Sequence, residues 1–230
     1  MSELADSRAD VTRQAILDAA SRQFAERSFS SVSLDDIVAD TDVSKSALYF
    51  HFRSKHSLAL AIIEHHAEEV RAATMELLTH QRSGLETMIE ITFMVATRDA
   101  RDDYARAAMN LFGEVRSPGA PPVGLVDEWV KGSITVLEQA IADGDVRADC
   151  DPEDLAQVLV GHYVGMRQVS DLNDAATFLT RVGNSWRTTL PGFANPDRID
   201  YLTQFVERRA VVAIRNITGR AYRRSQTMRA

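Results

Sequence analysis

The chain has 230 residues, of which 45% are hydrophobic, with 11 Gly, 6 Pro and a formal net charge of −7. That is apolar mass for one or two packed domains, while the single cysteine, Cys150, excludes a disulfide framework and a thiol metal site. The polar, acidic start MSELADSRAD is no signal peptide, and no apolar run is long enough for a membrane span, so a cytoplasmic protein without membrane contact is expected.

In chain order, a mobile arm is expected to about Ser7, then a helix from about Asp10 to Arg27 with Ile16, Ala20 and Phe24 on one face. The next stretch, Ser33–Leu60, reads as two short helices and the start of a longer one. Ser33 is placed to cap the first, with Asp36 at the capping-box position, and Leu34, Ile37 and Val38 fall at helical spacing. Thr41-Asp42-Val43 interrupts. Ser44 caps a second helix carried by Ala47, Leu48 and Phe50 to Phe52, and Ser54 caps a third running from Lys55 to about His80. Two short helices across a tight turn describe a helix-turn-helix, whose second helix enters the DNA major groove N-terminus first. Ser44, Lys45, Ser46 and Tyr49 would then meet base edges, with Lys45 able to donate to guanine O6 and N7. Tyr49, His51, Arg53 and Lys55 would face phosphates, and Ser33 joins this candidate set at the start of the first short helix. On spacing alone, a buried helix hairpin with incidental polar residues explains the same pattern.

Charge is distributed in a way the net value hides. Residues 1–57 carry seven Lys/Arg and nine Asp/Glu, and residues 207–230 carry seven Arg and one Glu. Lys45, Arg53 and Lys55 cluster about the second short helix, whereas Asp35, Asp36 and Asp40 lie on the one before it. This arrangement predicts modest affinity for random DNA and reliance on a specific site.

Beyond His80 the pattern stays helical. Leu85, Met88, Ile89, Thr92, Phe93 and Ala96 form one stripe, and Tyr104, Ala108, Leu111 and Phe112 another. Ser117–Gly124 is a Pro/Gly loop. Trp129, Ile134, Leu137 and Ile141 follow on a helix ending near Gly144. Asp151-Pro152-Glu153-Asp154 is a helix start for Leu155, Leu159, Tyr163 and Met166, with Gly161 and Gly165 spaced for close contact across a dimer. A helix over about Asn173 to Leu190 and another from Asn195-Pro196 complete an all-α chain, with a frayed Arg-rich end. His65 and His66, adjacent on a helix, read as surface or joint residues rather than metal ligands. No phosphate loop, HExxH or GxSxG motif supports an enzyme, and no cofactor is expected.

The run VSKSALYFHFRSKHSLAL resembles the signature of the TetR family of bacterial transcriptional repressors through Val43, Ser44, Leu48, Tyr49, His51, Phe52, Lys55 and Leu58. Asp42 and Ser46 stand where that family usually has Gly, and His56 where it often has Glu. Trp129 and its helix, GDVRADCDPEDLAQVLVGHYVGMRQVS and SWRTTLPGF resemble the γ-butyrolactone receptor branch. The resemblance implies a three-helix DNA-binding domain at 1–57 and a larger helical ligand-binding and dimerisation domain at 58–230. It implies a homodimer on a palindromic double-stranded DNA operator, released by a small hydrophobic effector, with Trp129 in the pocket. Phe93, Phe112, Tyr163 and Thr92 are the other candidate pocket residues, although aromatics at helical spacing are more often plain core. A repressor of efflux pumps answering to hydrophobic drugs, and a receptor-like regulator without lactone response, fit the same residues.

Overall fold

The computed structural model describes residues 2–115 and 125–227; the expected loop at Ser117–Gly124 lies outside the described residues. Helices α1 (Ser2–Glu26), α2 (Leu34–Ala39), α3 (Lys45–His51), α4 (Lys55–Leu78), α5 (Gly84–Asp99), α6 (Asp103–Glu114), α7 (Leu125–Ala142), α8 (Pro152–Gln168), α9 (Ala175–Thr189) and α10 (Pro196–Thr227) account for most of it. The only sheet-like pairing among the described residues is an isolated bridge, Val146 with Ala194. Two ends differ from expectation. Helix α1 starts at Ser2 where a mobile arm was expected, and α10 runs on to Thr227 through the Arg-rich end. Residues of high helix propensity, including Glu3, Leu4, Ala5 and six of the seven Arg of residues 207–230, populate those ends.

The first compact unit comprises residues 1–71 and 102–125. Its core collects Ile16, Leu17, Ala20 and Phe24 from α1, Ile37 from α2, Leu48 from α3, and Leu58, Ala59 and Ile62 from α4. Each large side chain so buried contributes about 1.5–3 kcal/mol. Helix α6 belongs to this unit, although the sequence places it in a separate domain beginning at residue 58. Its alanines, Ala107 and Ala108, are fully buried in the same core, and small side chains let α6 lie close to α1. Polar ties fix the pair. Asn110 donates to the carbonyls of Phe24 and Ala25, both at 3.1 Å, where α1 runs out of its own donors. Tyr104 donates to Asp18 at 2.7 Å. His65 packs its ring 4.8 Å from that of Tyr104, and His66, expected at the surface or at a joint, is fully buried.

The second unit comprises residues 72–101 and 126–230. Ser83 and Glu86 form a capping box at the start of α5. Gly84 follows because a Cβ there would lie 2.3 Å from the Ala140 backbone nitrogen, so only glycine lets α5 and α7 approach this closely. At the end of α7, Gly144 takes φ +76°, the left-handed C′ conformation that turns the chain. Asp151 caps α8 through the amides of Glu153 and Asp154, with Pro152 in the first turn. Helices α5, α9 and α10 pack together, with Phe93, Phe178, Val182, Leu202 and Val206 buried.

Candidate nucleic-acid interface and buried polar site

The first unit builds a helix-turn-helix from local signals. Ser33 accepts from the Asp36 amide at 3.1 Å, and Asp36 accepts from the Ser33 amide at 2.8 Å. The Ser33 amide and hydroxyl, both donating to the Asp36 carboxylate, hold it below its usual range, the backbone bond being the main cause. In the turn, Thr41 Oγ1 accepts from the Val43 amide at 3.1 Å. Ser44 then caps α3 through the Ala47 amide at 3.2 Å and meets the Ser46 hydroxyl at 3.0 Å. Ser54 and Ser57 cap α4 reciprocally, at 3.1 and 3.0 Å. Buried Leu48 and Phe52 anchor α3.

Several candidate residues end up on the outer side of α3. Lys45, Ser46 and Tyr49 are exposed, Tyr49 by 48%. Phe50, within the second short helix, is 81% exposed and sets its ring edge-on to His51 at 5.2 Å. Residues in sequence turn by about 100° on a helix, so exposed Phe50 and buried Phe52 lie on different faces. His51 is half-buried. Lys55 is committed elsewhere than to a phosphate. Its Nζ donates to the carbonyls of Phe29 at 2.6 Å and Val32 at 2.8 Å and lies 4.3 Å from the centre of the Phe29 ring. Arg53 is exposed, and Arg13 stacks its guanidinium over Phe52. A groove of about 420 Å³ beside α2 is lined by Ser30, Ser33, Asp35, Lys45, Tyr49 and Lys55, among others.

The second unit holds a buried polar site. Tyr163 on α8 donates to Asp99 Oδ2 at 2.6 Å, and Arg167, one turn further along α8, donates to the same oxygen at 3.0 Å. All three residues are buried. Burial and the neighbouring Asp99 carboxylate push the Tyr163 phenol well above its ordinary range, so the phenol stays protonated and donates. Trp129 on α7 places its ring 6.5 Å from that of Tyr163. Asp99 and Arg167 escaped sequence reasoning because their partnership spans 68 residues and follows no local period.

Of the other candidates, Phe93 and Thr92 lie in the same unit. Phe93 is buried with its ring tip directed at Gly183 of α9, where an added Cβ would sit 3.8 Å away; it is core of the α5–α9–α10 packing. Thr92 donates to the Met88 carbonyl of its own helix at 2.9 Å. Phe112 is half-buried on α6, in the first unit. Among the described residues no group of three or more His, Cys, Asp or Glu is placed to hold a metal ion, and no helix is long and apolar enough to cross a membrane.

Comparison with known proteins agrees with this architecture. Residues 16–62 match the family of bacterial regulatory proteins named for tetR, and residues 82–194 match the tetracyclin repressor-like C-terminal domain. The A-factor receptor protein of Streptomyces griseus is 29% identical over 198 residues, 85% of this chain and 68% of that protein. The TetR family protein CprB from S. coelicolor A3(2) is 30% identical, with a TM-score of 0.78 over 88% of this chain and 98% of the other. CprB has also been solved with its biological operator sequence (29% identity, TM-score 0.76, 87% and 97% covered). A γ-butyrolactone receptor, ArpA-like, superimposes with a TM-score of 0.75 at 29% identity, covering 88% and 97%.

Proposed function

Since the chain belongs to the tetR family of bacterial regulatory proteins, and is thereby a DNA-binding transcriptional regulator, we propose that it is a homodimeric repressor released from a palindromic operator by a γ-butyrolactone-type effector. The observation that carries the reading is α3. Its inner face is locked into a buried core by Leu48 and Phe52, while Lys45, Ser46, Tyr49 and Phe50 stand in solvent, Lys45 and Ser46 at the N-terminal end that helix-turn-helix proteins present to base edges. Lys45 and Ser46 supply donors for guanine and for either partner of a base pair, and Phe50 supplies an apolar surface for a thymine methyl. Ser33 and Ser44, at the ends of α2 and α3, lie beside amides suited to phosphates. His51 takes the backbone edge of α3, and Lys55 serves the interface by fixing the turn before α2.

Dimerisation is supported by surfaces that one chain leaves open. On α8, Val158 is exposed, and Cβ atoms added to Gly161 and Gly165 would meet nothing within 4 Å; Val211 and Val212 of α10 are also exposed. A second copy would cover such faces, and a two-fold pair reads a palindrome. The effector reading rests on the relatives named as A-factor and γ-butyrolactone receptors and on Trp129 beside Tyr163. An apolar wall with a few fixed polar groups is the usual make-up of a small-molecule site. Release requires the effector to favour the state that does not fit DNA, since equal affinity for both states shifts nothing.

The test is fluorescence anisotropy on labelled DNA from the gene's own upstream region, with and without a panel of γ-butyrolactones. Competitor-resistant binding abolished by a lactone, and made lactone-insensitive by Trp129→Ala with operator affinity retained, is the expected result. Operator binding that no lactone disturbs would overturn the effector assignment, and absence of any binding beyond random DNA would remove the gene's own promoter as a target.

A further inference from the structure

Each acid on α2 and its cap is answered by a base. Asp40 pairs with Arg22 at 3.1 Å, Asp36 with Arg27 at 3.6 Å and Asp35 with Lys45 at 2.5 Å. The first two partners come from α1 and the residue after it, and they fasten α2 to the body of the unit. The third pair is different in kind: it joins α2 to the first residue of α3, on the side where α3 would meet DNA. Both members stay in water, Lys45 55% and Asp35 69% exposed. Neither charge is desolvated, and such a pair is held weakly enough to be exchanged for another anion. The same Asp35 and Lys45 line the groove beside α2, together with Tyr49 and Ser33.

We propose that Asp35 is a specificity-determining residue: by occupying Lys45 in the free protein it withholds that cation from random DNA and yields it only to the operator. The proposal rests on the DNA-binding role of α3. On random sequence a lysine gains by neutralising a phosphate and releasing its counterion. If Lys45 leaves Asp35 for a phosphate, a bare carboxylate is left beside the DNA backbone, and the gain is cancelled. On a matching G·C pair the guanine offers Lys45 two acceptors, while the cytosine amino group offers Asp35 a donor. Both side chains then keep partners, so the penalty falls on wrong sequences alone.

Titrations of the full-length protein, Asp35→Asn, Lys45→Ala and the double variant on a random duplex across a salt series test this. Both side chains are exposed, so the fold is retained. Asp35→Asn is expected to bind random DNA about tenfold more tightly at ~50 mM salt, with a log–log salt slope steeper by about 0.9 per subunit. In the Lys45→Ala background the same substitution is expected to gain less than about threefold, because the cation it frees is gone. Equal gains in both backgrounds, which would mean simple repulsion by Asp35, or no gain in either, would overturn the proposal. On an operator, the ratio of specific to random affinity is expected to fall about tenfold in Asp35→Asn, and an unchanged ratio would overturn it equally. The random-duplex arm needs no operator, so failure to find one counts against the repressor reading and leaves this result standing.

Discussion

The pairs of arginine or lysine with aspartate at the two candidate sites, one in each unit, are built in opposite ways. In the first unit Arg22–Asp40 and Lys45–Asp35 lie in solvent; in the second, Arg167–Asp99 is buried, with Tyr163 on the same carboxylate. An exposed pair contributes little and exchanges partners freely. A buried pair is no great source of stability, but removing one partner strands the other in a poor dielectric. The pairs suit different tasks: Arg22–Asp40 holds α2 to α1, Lys45–Asp35 is open to exchange, and Arg167–Asp99 fixes geometry in a buried site.

The largest expected effect breaks the buried pair. Arg167→Ala should destabilise the protein by about 3–5 kcal/mol in denaturant unfolding, and a loss below about 1 kcal/mol would erase the contrast. Next comes the cap on which the DNA-facing helices depend. Ser33→Ala should cost about 1 kcal/mol, measured in the same way, because it removes the acceptor for the Asp36 amide. Arg22→Ala should cost less than about 1 kcal/mol; a cost equal to that of Arg167→Ala would mean that burial does not separate the two classes. The smallest effect is a pH dependence. The Asp36 carboxyl is held below 3.8 in the folded chain by its bonds to Ser33. Its contribution is therefore present above that value and is lost as the pH falls through the depressed folded value. Asp36→Asn should flatten this acid limb of the thermal midpoint against pH and leave the neutral region unaltered in slope.

What could be read from the sequence was what a few neighbouring residues decide. Ser33, Ser44, Ser54 and Asp151 cap helices because a hydroxyl or carboxylate reaches an amide two or three positions on, and the stripe Ile16, Ala20, Phe24 is buried as its period requires. Pairings across the chain stayed hidden. Lys55 was set against phosphates, yet carbonyls 26 and 23 residues earlier take its ammonium. Helix α6 carries no local mark of packing on α1, and Phe93 carries the same aromatic signal whether it lines a pocket or, as here, fills the contact with Gly183.

The Lys55 clamp also has a meaning in time. The 3₁₀ turn Phe29–Ser31 leads directly into the cap of α2, and a single ammonium ties its carbonyls to α4. Short turns of this kind open locally well before a domain unfolds. Lys55→Met keeps much of the side chain's length and apolar stem while removing the donor, so amide exchange at Ser31 and Ser33 should accelerate in that variant while Leu17 and Ala20 in α1 keep their protection. The steadiness of the entry into α2 is thus set, on the timescale of hydrogen exchange, by a residue that lies on neither of the two short helices.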